Sequence, residues 1–215
     1  MLKRVNYIIG YLSLTIGSYF SLLILKPEKN LGEIYRIFFF HFPLAIASYI
    51  SFFLCLVFSI AYLKKRNLQF DDLASSSAEV GLLFCILAII TGAIFSKYAW
   101  GEYWCWDPKQ TTTLMVCLVY ASYLALRSSI DEYETKARSS SVFGIFAFFT
   151  VILSYVSTRI WFSLHPTIIT RGGIALEKEM VIILLLMLCG MLSLCSSLII
   201  INKEIKRIER KVRNE

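Results

Sequence analysis

Hydrophobic residues along the chain fall into six long runs that short polar segments separate. None of these runs contains Asp, Glu, Lys or Arg, and each is close to the roughly 20 apolar residues that cross a bilayer as a helix. The pattern predicts an all-α, polytopic membrane protein whose residues 1–215 form a single domain, a bundle of six transmembrane helices. The predicted spans are Asn6–Leu25, Ile37–Leu63, Val80–Ser96, Gln110–Leu126, Ser141–Ser157 and Met180–Asn202.

The overall composition agrees with a membrane location. Hydrophobic residues make up 57% of the chain and charged residues 17%, whereas an average soluble domain is about 45–50% apolar and about 25% charged. The first run is too long for the apolar core of a signal peptide, and no A-x-A-like cleavage site follows it, so we expect an uncleaved anchor. The polar segment Asn67–Glu79 is the part of the chain that most resembles a linker.

Lys and Arg are divided unequally between the two sides of the predicted bundle. Fourteen of the 22 lie in the termini and in the loops after the second and fourth runs, and eight lie in the other three loops. Cytoplasmic loops carry such an excess, so we expect both termini in the cytoplasm of a multi-pass plasma (inner) membrane protein. The net charge of +7 then reflects topology and contact with membrane lipid, with no nucleic acid as partner.

The basic cytoplasmic tail, residues 203–215, has two interpretations. Ile205, Ile208 and Val212 share one helical face among basic residues, as in an amphipathic segment that binds anionic lipid. The simpler interpretation is a positively charged anchor that only fixes the orientation of the last span.

The predicted outer loop over residues 97–109 is rich in aromatic residues. The stretch YAWGEYWCWDPKQTT, which begins at residue 98, contains three tryptophans, Trp100, Trp104 and Trp106, more than membrane anchoring requires. Trp100 and Trp104 are four residues apart, so a helical turn would place both on one face. Gly101 allows a backbone or a flat ligand to approach closely. Asp107 and Pro108 suit the N-cap and first turn of the following helix.

Both histidines of the chain fall on the same predicted outer side as this loop. His41 is predicted near the membrane boundary of the second span, and His165 lies in the loop between the last two spans. A single interfacial histidine is usually no more than a polar residue in a wet place, but two facing neutral imidazoles can ligate an iron axially. Indole rings fit a porphyrin. The outer cations nearest in sequence, which suit its propionates, are Lys109, Arg159 and Arg171.

These residues resemble the WWD family of haem-handling proteins in cytochrome c maturation. The motif W-G-x-x-W-x-W-D is matched without a gap from Trp100 to Asp107. The chain length, the six spans and a histidine on each side of the motif are similar to the smallest branch, haem exporter protein C. The sequence DPKQT after the tryptophans is more similar to the longer branch, the cytochrome c synthases, although the number of spans favours the short one.

The resemblance implies a site and a function. His41 and His165 would ligate the iron, and the haem platform would consist of Trp100, Gly101, Trp104, Trp106 and Asp107. The family binds haem at the outer face of the membrane and loads it onto a membrane-anchored haem chaperone, with ATP-driven transporter subunits as partners. Because the six cysteines include no C-x-x-C pair for covalent attachment, we expect non-covalent, b-type haem.

Three other functions fit parts of the sequence. A membrane cytochrome b-type electron-transfer subunit also uses histidine ligands, but usually four at mid-membrane depth, and it leaves the tryptophans unexplained. An ion-coupled transporter carries ionisable residues within its spans, and these spans contain no Asp, Glu, Lys or Arg. A scaffold subunit would use the aromatic loop as a partner surface. The favoured hypothesis is haem binding and transfer without bond-making catalysis, so the chain is not expected to be an enzyme.

Overall fold

The structure of the protein, a computed structural model, has six long α-helices joined by short segments over the residues that it describes. Five of the helices are long and apolar enough to cross a membrane. The prediction of an all-α, multi-pass membrane protein is therefore confirmed. The model describes residues 2–29, 31–166, 169–170, 173–174 and 176–213, and for residues 2–4, 6, 169–170, 173–174 and 213 it describes the backbone alone.

The helices agree with the predicted spans but extend beyond them. A π-helical turn, Phe20–Ile24, continues the first helix, and a 3-10 turn, Glu33–Ile37, precedes the second. Two strands of two residues each, β1 (Ile169–Thr170) and β2 (Gly173–Ile174), pair antiparallel between the last two helices. The helices are α1 (Leu2–Tyr19), α2 (Phe38–Lys65), α3 (Leu68–Trp100), α4 (Pro108–Ser128), α5 (Tyr133–Ile160) and α6 (Lys178–Arg213).

Helix α4 is the long helix that is not among these five, and threonines and Lys109 occupy its first turns. Its 21 residues correspond to about 31 Å at the usual helical rise of about 1.5 Å per residue. That length matches the roughly 30 Å apolar core of a bilayer. Helix α4 packs mainly on α5 and α3, so its more polar surface lies against protein.

Two ends of the bundle differ in chemistry. At one end, which we call the tryptophan end, α3 finishes at Trp100 and α4 begins at Pro108, close to the start of α2 and the end of α5. At the other, the ion-pair end, Arg127 makes two hydrogen bonds of 2.6 and 2.8 Å to Asp71, and Arg210 makes two of 2.7 Å to Asp72. Both carboxylates are buried.

The segment Asn67–Glu79 is not a linker. Asn67 caps α3 through its side chain, and the rest of the segment forms the first three turns of that helix. Ser75, Ser76 and Ser77 are fully buried, because small side chains allow membrane helices to approach closely. The polar character that made the segment resemble a linker instead reflects close packing and the ion pairs of Asp71 and Asp72.

The predicted tail is a continuation of α6 as far as Arg213. Lys206 pairs with Glu79, and Arg210 pairs with Asp72, so the basic face of this extension packs on α3. Ile205, Ile208 and Val212 remain exposed. The tail is therefore bound to the bundle through its charged face.

The interior between α2, α3, α4 and α5 is aromatic. The rings of Phe52 and Tyr120 stack with centroids 3.7 Å apart, and both side chains are fully buried. Aromatic pairs of this kind contribute about 0.5–1.5 kcal/mol beyond the area that they bury. This packed layer lies below the tryptophan end and supports the cavity described next.

Candidate functional site

A cavity of about 300 Å³ opens at the tryptophan end, a size within the range of small-molecule sites. Side chains of α2, α3, α4 and α5 form its wall, and the segment after α5 closes one side. Most of the wall is aliphatic or aromatic. The polar groups in it include both histidines of the chain, which the sequence separates by 124 positions.

The two histidine rings lie close together in the wall of this cavity. The ring centroids of His41 and His165 lie 6.4 Å apart, with ring planes at 48°. Two imidazoles that bind one metal from opposite sides, with bonds of about 2.0–2.1 Å, have centroids roughly 6–6.5 Å apart. The observed separation therefore fits two axial ligands of one metal centre.

His41 lies in the first turn of α2 and rests against the backbone of α3. Its Nδ1 is 3.0 Å from the carbonyl oxygen of Ala88 and 3.1 Å from the hydroxyl of Thr91. A carbonyl only accepts, so Nδ1 carries the proton and Nε2 keeps its lone pair. A Cβ at Gly92 would stand 2.8 Å from the ring Cε1, so this close approach of ring to helix requires glycine.

His165 occupies the segment that follows α5. Its Nδ1 lies 3.2 Å from the carbonyl oxygen of Pro166, so the same reasoning leaves Nε2 as the free lone pair. Metal-binding histidines usually donate their other ring N–H to a carbonyl or carboxylate in this way. Burial lowers the pKa of His165, and the nearby ammonium of Lys109 lowers it further. Both effects favour the neutral imidazole that a metal requires.

The charged side chains that line the cavity are cations. Lys109 donates hydrogen bonds of 2.9 Å to the Tyr49 hydroxyl and 2.7 Å to the carbonyl of Ser154. Arg159 lies over the ring of Tyr155, 5.4 Å from its centroid. Among the residues that the model describes, no Asp or Glu lines this cavity. Arg171, the third predicted cation, lies outside the described residues.

The tryptophans divide into two groups. Trp100 and Trp104 line the cavity, whereas Trp106 does not line it and is 71% exposed. The expectation that Trp100 and Trp104 lie on one helical face is wrong, because α3 ends at Trp100 and Gly101 adopts φ +91°. Trp104 and Trp106 instead meet edge to face in the loop, with centroids 5.9 Å apart.

Asp107 is buried and does not line the cavity. It is the N-cap of α4, as the sequence predicts, and Pro108 occupies the first turn. The carboxylate also accepts hydrogen bonds from Ser163 and Leu164 in the segment that carries His165. Gly101 does not line the cavity either, and it serves as the C-cap of α3. Direct ligand contacts of Gly101, Trp106 and Asp107 remain predictions.

Several residues of the site do not stand out in the sequence. Gln110 accepts from the amide of Cys105 at 3.0 Å and donates to Ser96 at 3.2 Å, which holds the tryptophan loop between α3 and α4. Tyr49 is a partner of Lys109 on another helix. Such contacts join distant parts of the chain, and no local pattern predicts them. Gly92 alone gave a signal, because glycine within a helix often marks a close approach.

Comparison with known proteins gives a consistent result. A family model described as Heme exporter protein C matches residues 1–215. Heme exporter protein C of Bradyrhizobium diazoefficiens is 30% identical over 176 residues, which cover 81% of this chain and 66% of that protein. The protein of the same name from Paracoccus denitrificans is 30% identical over 138 residues, 64% of this chain and 57% of that protein.

A third relative extends the similarity over more of the chain. Heme exporter protein C of Haemophilus influenzae is 28% identical over 189 residues, which cover 84% of this chain and 74% of that protein. The match to the Bradyrhizobium protein leaves about a third of that longer chain uncovered. On the strength of the family match over residues 1–215, this chain belongs to the Heme exporter protein C family.

Proposed function

We propose that the chain binds one b-type haem between His41 and His165 and delivers it to a membrane-anchored haem chaperone. The family assignment supports a role in haem delivery for cytochrome c maturation. Haem is here the cargo of a binding and transfer protein, and the chain makes no bond in it. ATP-driven transporter subunits would be its partners in the membrane.

The observation that carries this proposal is the pair of neighbouring imidazoles in the cavity wall. Their centroids are 6.4 Å apart, and each Nδ1 lies within 3.2 Å of a backbone carbonyl. Both Nε2 lone pairs are then available for the same metal centre. The pair has no evident structural purpose, because the hydrogen bonds of each ring go to other groups and none joins the two imidazoles.

The rest of the cavity suits a flat, apolar ligand that carries acidic groups. Trp100 and Trp104 offer aromatic surface, which packs well on a macrocycle. Lys109 and Arg159 supply the positive charge that two propionates require. The cysteines contain no C-x-x-C pair, so attachment through thioethers is not expected.

The side of the membrane follows from the loops. The excess of Lys and Arg at the ion-pair end supports a cytoplasmic location for that end. The tryptophan end then faces outward, periplasmic or extracellular, where cytochromes c mature. A shallow site at that surface suits a ligand that is taken up and then released.

The proposal is tested by the absorption spectrum of the purified full-length protein loaded with haem, wild type beside His41→Ala and His165→Ala. We expect a six-coordinate, low-spin spectrum in the wild type and loss of most of the haem in each variant, because one axial bond is removed. Asn67→Ala, which removes a helix cap at the ion-pair end, is the control and should keep its haem. Wild-type haem content in both histidine variants would contradict the proposal.

A transfer experiment distinguishes delivery from electron transfer. Haem-loaded protein is mixed with an apo haem chaperone, or with a quinol. Passage of haem to the chaperone with slow quinol oxidation is the expected result. Fast reduction by quinol without haem transfer would indicate a cytochrome b-type subunit instead.

A further inference from the structure

We propose that Asp107 is a positioning residue, whose carboxylate ties the segment carrying His165 to the first turn of α4. The inference rests on the proposed function, because it concerns the second of the two haem ligands. It gives the aspartate of the tryptophan motif a role in the protein's own architecture.

The hydrogen bonds of the carboxylate join two separate parts of the chain. Its Oδ1 accepts from the backbone N–H of Lys109 at 2.8 Å, within α4. The same oxygen accepts from the Ser163 hydroxyl at 2.9 Å, and Oδ2 accepts from the backbone N–H of Leu164 at 2.7 Å. Asp107 thus contacts residues that lie 56 and 57 positions further along the chain.

The connection continues to His165 itself. The Ser163 hydroxyl, which donates to Asp107, accepts from the backbone N–H of His165 at 3.1 Å. Two successive backbone N–H groups, those of Leu164 and His165, therefore end on the carboxylate directly or through one hydroxyl. These bonds hold the peptide groups that lead into His165, and so the position of its Cα, against the start of α4.

An ionised carboxylate suits this position better than any other side chain. It is an acceptor only, with room for several donors on its two oxygens. Hydrogen bonds to a charged acceptor are roughly twice as strong as neutral ones, and the positive end of the α4 dipole favours a negative charge here. Asparagine could still cap the helix, but its amide group would present N–H to the N–H of Leu164.

The location of Asp107 agrees with a positioning role. The residue is 5% exposed and does not line the cavity, and its oxygens already serve three donors of the protein. His165 has no helix of its own to hold it, because α5 ends at Ile160. The contacts through Asp107 and Ser163 replace the support that a helix would give.

The test compares the haem spectra and affinities of Asp107→Asn and Ser163→Ala with those of the wild type. Loss of an outer partner of a metal ligand typically costs 10–100-fold in affinity, so we expect haem to bind roughly 10–100-fold more weakly in Asp107→Asn. Ser163→Ala should bind haem roughly tenfold more weakly than the wild type. In both variants the bound haem should shift from six-coordinate low-spin toward five-coordinate high-spin, and added imidazole should restore the six-coordinate spectrum.

Imidazole rescue separates positioning from simple loss of stability. Asn67→Ala removes the N-cap of α3 at the opposite end of the bundle. In the wild type the Asn67 side chain accepts from the backbone N–H of Gln69 at 2.9 Å. This control should lose comparable thermal stability and keep the wild-type spectrum. Suppose that the wild-type protein shows histidine ligation and that Asp107→Asn and Ser163→Ala both have the same spectra and affinities as the wild type. That result would overturn the positioning role and leave the proposed function standing. A wild type without histidine ligation would instead overturn the proposed function.

Discussion

The two imidazoles of the cavity are held in different ways. His41 belongs to a helix and rests on a second helix, where the Ala88 carbonyl, the Thr91 hydroxyl and the absent side chain of Gly92 shape its seat. His165 belongs to an irregular segment whose direction depends on the carboxylate of Asp107. One imidazole is thus supported by packing, and the other by a few hydrogen bonds.

This difference has a consequence for the proposed delivery of haem. Packed helices move little without loss of the fold, because interiors are dense. A segment held by three or four hydrogen bonds can move while the bundle stays intact. If one axial bond breaks before the other during transfer, we expect the bond to His165 to break first, because its segment moves more easily. The predictions below are arranged to test this contrast.

The largest effect is expected from the ion-pair end, which should influence both ligands equally. Arg127→Ala leaves the buried carboxylate of Asp71 without its partner, and loss of one member of a buried pair costs about 3–5 kcal/mol. We expect a much lower unfolding temperature, measured by the loss of helical circular dichroism. The folded fraction should keep the six-coordinate haem spectrum.

A double variant serves as the control for this prediction. Replacing Asp71 and Arg127 together by Asn and Gln removes both charges, so a large part of the lost stability should return. Arg127→Ala could instead give a five-coordinate haem that becomes six-coordinate when imidazole is added. That result would show that the positions of the histidines depend on the ion-pair end and not on contacts at the tryptophan end. The contrast between the two histidines would then have no basis.

The next largest effect is expected where the ring of His41 packs against α3. Gly92→Ala would place a methyl group 2.8 Å from Cε1 of the ring, and we expect haem affinity to fall by roughly 10–100-fold because the ligand is displaced. Imidazole should not restore the spectrum, since the methyl group also occupies the space that a free ligand on that side needs. Haem titration followed by absorbance measures both quantities.

Gly81→Ala is a matched control on the same helix. Its Cβ would stand 2.8 Å from the ring of Phe52, far from either histidine. Overpacking of this kind costs typically 1–3 kcal/mol, so stability should fall while the haem spectrum stays unchanged. Restoration of Gly92→Ala by imidazole would show that His41 is held no more firmly than His165.

Much of the fold follows from the sequence, because charge-free runs and loop charges are local signals. The ends of the helices were harder to predict. The start of α3 resembles a loop in the sequence because it contains Asp71 and Asp72, whose arginine partners lie on other helices. Within the site, Trp100 and Trp104 could be named as candidates from the motif, and His41 and His165 from their predicted place on the same side of the membrane. The sequence also predicts the N-cap role of Asp107, but its contacts with Ser163 and Leu164 could not be predicted, because they join distant parts of the chain. The same holds for the contacts of Gln110 and Thr91.

The smallest effect compares one hydroxyl beside each histidine. Thr91→Val removes the hydroxyl 3.1 Å from Nδ1 of His41 but leaves the Ala88 carbonyl at 3.0 Å. Since one acceptor remains and a neutral hydrogen bond contributes only about 0.5–1.5 kcal/mol, we expect haem affinity to change by roughly threefold or less. Ser163→Ala should cost more, because the hydroxyl there links the segment to Asp107. An equal or larger loss in Thr91→Val, measured by the same haem titration, would mean that hydrogen bonding, and not packing, holds His41 as well.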